Sequence, residues 1–397
     1  MAYNLFNMDR DELIARATEG FRARFSYEPH AVGFAPGRVE LLGNHTDYNE
    51  GFVLTAAIDR AVAVAGAMRE APVARVVSAE RGEVTFDPAR PETQPAARWA
   101  DYALGVVDEL NKAGASVGGF DAYLESSVPG GAGVSSSAAV LVGVAQLLLA
   151  LYPSTLSLEP MAVARLCRAA ENHFVGAPVG ILDQFSSVFG RAGHALLLDC
   201  RSLEWKAVEL PSEKCRILIA DSGVKHALAA GGGYTERRAQ CEEAARLLTE
   251  GQSDKLRDVS RELLEERGGS LPPELLKRAR HIVGENWRVG LGAEALEAGN
   301  LAAFGETVNN THESCRTLFQ NSCPEVDALV EIAQGQSGVW GAKLTGGGWG
   351  GCAVILHTPE ATESLCAALT DGYLSKFGKS PTLIPTLAGP GADAQLI

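Results

Sequence analysis

Positive charge is scarce in this 397-residue sequence: 35 Lys and Arg stand against 49 Asp and Glu, a formal net charge of −14. Such a surplus of acid argues against a protein that tracks a nucleic-acid backbone, because that affinity comes mostly from Lys and Arg. It leaves room for a small anionic ligand held by backbone amides and one or two local cations. Long apolar runs are missing too. The longest, around 141–152, is broken by Gly143 and Gln146, far short of the ~20 residues that span a bilayer. The first ten residues carry Asp and Arg and no apolar core, so no secretory signal and no membrane attachment are expected. The eight cysteines are scattered, with no C-x-x-C pair and no His cluster beside them, which speaks for neither a zinc site nor a redox motif. They read as reduced, buried small hydrophobes of a soluble, cytoplasmic protein.

Glycine, by contrast, is plentiful, at 43 residues. With 46% hydrophobic and 21% charged residues the chain is an ordinary globular one, long enough for two or three domains. Residues 9–24 have helical spacing. A strand over 31–34, a turn at Pro36-Gly37 and a second run through Val39, Leu41 and Leu42 follow. Residues 53–68 and 73–86 alternate as strands. Three prolines within 88–97 mark a loop, and 99–113 carries a helical apolar stripe. A strand near 120–125, a glycine-rich turn at 129–133 and a helix over 136–151 come next. Ser157 is placed to cap the following helix, with Pro160 in its first turn and Gly176 beyond its end. After strands at 194–199 and 204–209, Pro211-Ser212-Glu213 marks the expected boundary between domains 1–212 and 213–397. The second half reads as a strand at 216–220 and helices near 235–249, 254–265, 273–287, 301–317 and from Pro324. Two strands around a glycine cluster at 345–351, a helix over 359–371 and a last strand near 382–386 complete it. Mixed rather than strictly alternating elements favour an α+β fold.

Four segments carry chemistry. Ser127-Val-Pro-Gly-Gly-Ala-Gly-Val-Ser-Ser-Ser-Ala138 lies between a strand and a helix. Its glycines let successive N–H groups converge on one anion, the helix adds its positive end, and three hydroxyls can donate to phosphate or bind Mg²⁺. A capped turn is the plainer alternative. The segment is neither a P-loop nor a dinucleotide fingerprint. Ala35 to Gly51 packs Arg38, Asn44, His45, Asp47, Tyr48 and Asn49 beside apolar residues, a density of directional groups that suits a polyhydroxylated ligand. Lys343-Leu-Thr-Gly-Gly-Gly-Trp-Gly-Gly-Cys352 implies backbone pressed close to something, or else a tight hairpin. Glu171, on the edge of an apolar helix face, needs a partner or a metal if buried. Asp183, in Gly180-Ile-Leu-Asp-Gln-Phe185, is a candidate base unless a cation opposes it, and otherwise a turn or capping residue.

Together GRVELLGNHTDYNEG, VPGGAGVSSSA, GILDQF, GHALLLDCRSLE, Arg237-Arg238-Ala-Gln-Cys-Glu-Glu243 and KLTGGGWGGC resemble the GHMP small-molecule kinases, and among them the galactokinase family, over nearly the whole chain. The resemblance implies an N-terminal and a C-terminal domain with the active site in the cleft, and phosphate transfer from ATP with Mg²⁺ to the anomeric hydroxyl of a galactose-like sugar. It makes Asp183 the catalytic base and Arg38 its cationic partner. His45, Asp47, Gly180 and Tyr234 match sugar-contacting positions. Gly130, Gly131, Gly133, Ser135 and Ser136 match the phosphate loop, and Ser137 with Glu171 the Mg²⁺ pair. Trp99 and Tyr102 match positions flanking adenine, while Gly346 and Gly347 support the loop and sugar pocket. One departure stands out. The family pattern has Asn where this chain has Glu40, and Glu where it has Asn44; that Glu contacts the hydroxyl farthest from the reacting carbon. Asn44 in the sugar site therefore leaves open galactose, N-acetylgalactosamine or another galactose analogue. A sugar-responsive regulator without catalysis is a reading from another class, opposed by Arg38, Ser137, Glu171 and Asp183 all being present. Oligomeric state is left open, a monomer being compatible with the sequence.

Overall fold

Apolar alternation and helical spacing along the chain resolve into eleven α-helices and twelve strands among the described residues of a computed structural model, which are 9–94, 98–131, 133–153, 158–224 and 233–397. Helix α1 (Arg10–Phe25) starts at Asp9, whose carboxylate accepts from the Glu12 amide. Strands β1 (Ala31–Leu42), β2 (Phe52–Arg69), β3 (Ala74–Ser78) and β4 (Gly82–Phe86) precede α2 (Asp101–Lys112), β5 (Gly119–Ser126) and α3 (Ser136–Leu151). Then come α4 (Pro160–Ala169), α5 (Leu182–Phe189), β6 (His194–Asp199) and β7 (Trp205–Glu209). The second half holds β8 (Arg216–Asp221), α6 (Gly233–Leu248), α7 (Arg261–Arg267), α8 (Pro273–Glu297), α9 (Leu301–Ser314) and α10 (Pro324–Gln334). Strands β9 (Val339–Thr345) and β10 (Cys352–His357), helix α11 (Thr362–Phe377), and strands β11 (Thr382–Thr386) and β12 (Asp393–Leu396) complete the order.

An eight-stranded sheet runs β12-β1-β2-β5-β3-β4, with β6 on the start of β2 and β7 on β6; the pairing is antiparallel except between β3 and β5. A second, antiparallel sheet runs β11-β8-β10-β9. The mixture is the expected α+β architecture. The chain passes from the first sheet to the second between β7 and β8, across 211–213, and β12 returns to the first sheet beside β1. Nothing local announced β12: four largely exposed residues form a strand only because the β1 edge is there to pair with them.

Three other expectations are corrected by packing. Strand β1 is continuous through Pro36-Gly37 rather than broken by a turn. The helix expected over 254–265 is a 3₁₀ turn at Leu256–Asp258 followed by α7, because Ser260 caps the Leu263 amide and starts the helix there. Helix α8 runs on to Glu297, burying Val289 and Leu296 in the main core. The expected cap at Ser157 lies outside the described residues.

The first sheet is covered on both faces. Ala61, Ala63, Ala65 and Ala67 of β2 meet Leu13, Ile14, Ala17 and Phe21 of α1. Val62 and Val64 join α3, which is buried on nearly every side, as its almost unbroken apolar sequence requires. Helix α3 sits so close to β1 that a Cβ on Gly33 would lie 2.2 Å from the carbonyl of Gly143. Among the described residues no helix is long and apolar enough to cross a membrane. Gly33→Ala is expected to force α3 outward and destabilise the protein on the order of 1–3 kcal/mol, the usual cost of overpacking. Urea unfolding checks this, and an unchanged midpoint would refute the tight contact.

Candidate active site

Pro36 has no N–H to give the sheet, and the β1–β2 ladder slips there: Pro36 faces Ala61, but Arg38 already faces Ala57. The Arg38 amide donates instead to Val134 O at 3.1 Å, so β1 takes the turn before α3 as its neighbour. A Cβ on Gly37 would stand 2.6 Å from that same carbonyl, which is why a glycine occupies the slip. The guanidinium of Arg38 then reaches two groups. Nε donates to Asp183 Oδ1 at 2.8 Å, and Nη1 to Gly133 O at 2.7 Å. On the other oxygen of Asp183, Ser135 Oγ donates at 2.5 Å.

Ser135 is the residue before α3, and its backbone is left-handed at φ 60°, a conformation that costs a non-glycine residue on the order of 1–2 kcal/mol. It makes no capping bond. The capped-turn alternative thus fails at this serine, whose hydroxyl is turned to Asp183. Asp183 itself lies in the first turn of α5 and retains some exposure, with 22% of its side chain open.

These groups form one wall of a cavity of about 370 Å³. Gly131, Gly133, Ser136 and Ser137 continue that wall, and Tyr102 of α2 stands at its side. The segment after β1, with Asn44, His45 and Asp47, lines the cavity as well, together with Gly180, Tyr234 and the glycines of the β9–β10 hairpin. Gly180 is obligatory in space: a Cβ there would fall 1.8 Å from Asp47 Oδ2. The hairpin turn holds Gly346, Gly348, Trp349, Gly350 and Gly351 at positive φ. It is a hairpin and also a close approach, since a Cβ on Gly346 would sit 2.9 Å from Gly133 O. The two glycine turns meet backbone to backbone.

His45 is ringed by Phe319, Tyr234, Tyr48 and Trp349, at 4.6, 5.2, 5.7 and 6.0 Å between ring centroids. Its Nε2 lies 2.9 Å from Gly347 O and its Nδ1 3.0 Å from the Tyr48 hydroxyl. Burial pushes its pKa down to about 3, so it is a neutral hydrogen-bonding group. Asp47 moves the other way, up to about 6, through burial first and the charge of Asp183 second. Burial and Asp183 also raise Glu171 to about 7. Glu171 lies in a π-helical turn, Ala170–Val175, after α4; it is hydrogen-bonded to Ser137 and accepts from Gln184 Nε2 at 2.5 Å. Gln184 Oε1 is buried without a hydrogen-bond partner.

Of the residues singled out from sequence, Tyr48, Asn49, Trp99, Gly130 and Glu171 lie outside the cavity lining. Trp99 is half-buried against the main core, and Gly130 is exposed near Arg81. Glu171 is tied to the lining through Ser137. Several supporting residues escaped the sequence reading. Helix α8 clamps the segment after β1: Glu285 Oε1 accepts from the Gly43 amide at 2.9 Å, His281 Nε2 lies 3.0 Å from Asn44 O, and Asn286 accepts from the Phe52 amide at 2.9 Å. Burial alone would raise Glu285, but Arg288, His281 and the Gly43 amide outweigh it and hold the carboxyl near pKa 2. A signal existed, since His281 and Glu285 are polar residues one turn apart among the apolar positions of α8. Lys343, fully buried, pairs with Glu40 at 2.8 Å, and Asn321 Nδ2 donates to Asn44 Oδ1 at 2.9 Å.

Family models match along the chain in order: the galactokinase galactose-binding signature at 19–68, the GHMP kinase N-terminal domain at 101–191 and the GHMP kinase C-terminal domain at 293–373. A galactokinase of Roseiflexus sp. (strain RS-1) is 42% identical over 376 residues, covering 94% of this chain and 95% of that protein. The galactokinase of Homo sapiens is 39% identical over 389 residues, 96% of each. The crystal structure of Lactococcus lactis galactokinase complexed with galactose superposes with a TM-score of 0.90 at 31% identity, covering 95% of this chain and 98% of that one. A mevalonate kinase structure, at 19% identity and a TM-score of 0.62, shares the fold. With such identity sustained from α1 to the second sheet, the chain belongs to the galactokinase family of GHMP kinases.

Proposed function

We propose that this protein transfers the γ-phosphate of ATP to the anomeric hydroxyl of galactose, in a cleft between an N-terminal domain over 1–212 and a C-terminal domain over 213–397 whose last strand returns to the first sheet. The observation that carries this reading is the Arg38–Asp183–Ser135 cluster, lining one cavity with the turn before α3 and with His45, Asp47 and Gly180. The sugar lies against His45, Asp47, Gly180, Tyr234 and the hairpin glycines, with Asp183 taking the proton of the attacking hydroxyl. Arg38 balances the charge on Asp183 and on the phosphoryl oxygens in flight. Backbone amides around Gly130–Ser136 and the N-terminus of α3 receive the phosphates, and Tyr102 with Trp99 borders the adenine. Positioning and charge neutralisation dominate such a transfer.

Ser137 and Glu171 are the pair for Mg²⁺. Their two hard oxygens, beside the unpartnered Gln184 Oε1, suit a cation that takes one or two protein ligands and completes its shell with phosphates and water. When bound, the ion would neutralise charge on the transferring phosphate. Among the described residues no three His, Cys, Asp or Glu gather into a dedicated metal cage.

Asp183→Asn is expected to lower kcat about 10²–10⁴-fold while galactose affinity changes only a few-fold. An ADP-release assay alongside calorimetry measures both, and full turnover would take the base role from Asp183. A sugar panel including N-acetylgalactosamine tests the substrate. A pH series tests Asp47. Because its carboxyl is raised to about 6, a hydroxyl that binds the carboxylate loses its acceptor as pH falls through 6. Galactose affinity should drop about tenfold from pH 7 to pH 5, and Asp47→Asn should be weaker throughout and lack that drop.

A further inference from the structure

Asn44 is closed to a ligand. Its amide nitrogen donates to Glu40 Oε1 at 3.1 Å and to Gly346 O at 3.0 Å. Its oxygen accepts from Asn321 Nδ2 at 2.9 Å and from the Cys315 thiol at 3.3 Å. A side-chain amide has two donor hydrogens and an oxygen with two lone pairs, so this one is saturated, and the residue is only 1% exposed.

Glu40 differs. Its Oε1 is occupied by Lys343 Nζ at 2.8 Å and by Asn44. Among the described residues its Oε2 has one hydrogen-bond contact, a 3.3 Å approach by the same Asn44 nitrogen, which leaves acceptor capacity on an oxygen of a cavity-lining residue. The carboxylate is also held still. Lys343 Nζ donates to the Glu40 carbonyl at 3.1 Å, and the Glu40 amide donates to Thr345 Oγ1 at 3.0 Å.

Position on the strand says what this oxygen faces. From Arg38 to Glu40 the β1–β2 register is regular, Arg38 opposite Ala57, Val39 opposite Ala56 and Glu40 opposite Thr55. Residues two apart share one face and lie about 6.6 Å from each other, a span comparable with a hexose ring and its hydroxymethyl arm. A sugar with its anomeric hydroxyl at Arg38 and Asp183 therefore presents its far end to Glu40.

We infer that Glu40 is the specificity-determining acceptor for the sugar hydroxyl most distant from the reacting carbon, with Asn44 and Lys343 as positioning residues that fix its carboxylate. The inference rests on the sugar 1-kinase reading. The exchange of Asn and Glu between positions 40 and 44 is then a change of carrier: the two side chains touch, and the carboxylate stays within the same polar knot while the residue that bears it changes.

The experiment compares galactose with 6-deoxygalactose, which lacks that hydroxyl, by kcat/KM and by calorimetric affinity, in the full chain and in Glu40→Gln. The unaltered protein should favour galactose by about a hundredfold or more. Glu40→Gln should narrow the ratio to within about tenfold by losing galactose and sparing 6-deoxygalactose, a pattern that a merely structural role would not give. Glu40→Gln/Lys343→Met, which leaves no unpaired buried cation, is carried alongside so that a folding defect in the single variant does not hide the answer. Equal use of the two sugars by the unaltered protein, or an equal loss of both in the variants, would overturn the inference and leave the kinase reading standing. Absence of phosphorylation of any hexose would instead overturn the kinase reading, with the calorimetric ratio still deciding the role of Glu40; binding of neither sugar overturns both.

Discussion

The ion pair between Glu40 and Lys343 joins strand β1 to strand β9 across 303 positions of sequence, with both side chains nearly out of water. Two charges in such a place cost more in lost hydration than one contact returns. The deficit is offset by the surrounding bonds: a second donation from Lys343 to the Glu40 carbonyl, the Asn44 amide on the carboxylate, and Thr345 on the Glu40 amide. Because β1 and β9 are fastened here, the turn before α3 and the β9–β10 hairpin are brought face to face, with room between Gly346 and Gly133 for backbone alone. The cavity is the seam between two sheets, and its shape depends on that fastening.

The acid surplus of the whole chain is repeated inside the site. Glu40, Asp47 and Asp183 line the cavity and Glu171 stands just behind it, with Arg38 and the buried Lys343 as two cations paired to carboxylates there. Each cation is committed to one carboxylate. Among the described residues neither Asp47 nor Glu171 is in an ion pair, and burial together with Asp183 lifts both toward neutrality. The glycine turns can meet an anion with amides where side-chain cations are few. Scarce Lys and abundant Gly are thus two sides of one local arrangement.

Much of this was legible in the sequence because it is locally encoded. Helix α3 begins at Ser136 and ends at Leu151 as its spacing requires, and the glycine-rich turn, Arg38, Asp183, His45 and Asp47 meet in one cavity. What escaped was set by partners distant in sequence. Pro36-Gly37 reads as a turn, yet the chain runs straight on, because the Arg38 amide finds Val134 instead of β2. Asn44 reads as a ligand contact, yet Asn321 and Cys315, far along the chain, have taken its oxygen. Helix α8 carries no motif, and its grip on Gly43, Asn44 and Phe52 exists only once the helix is laid across that segment.

The return of β12 to the edge of β1 has a bearing on how the molecule is made. Residues 393–396 pair with 31–34, and Asp393 takes both of its oxygens to Arg10 of α1. Until residues 393–396 are laid beside 31–34, that edge of the first sheet is open. An open edge of that kind is a template for wrong partners, and a contact closing over such a sequence distance forms late. Residues 393–396 therefore act as a seal, covering four positions of an edge whose backbone groups would otherwise be open to other strands.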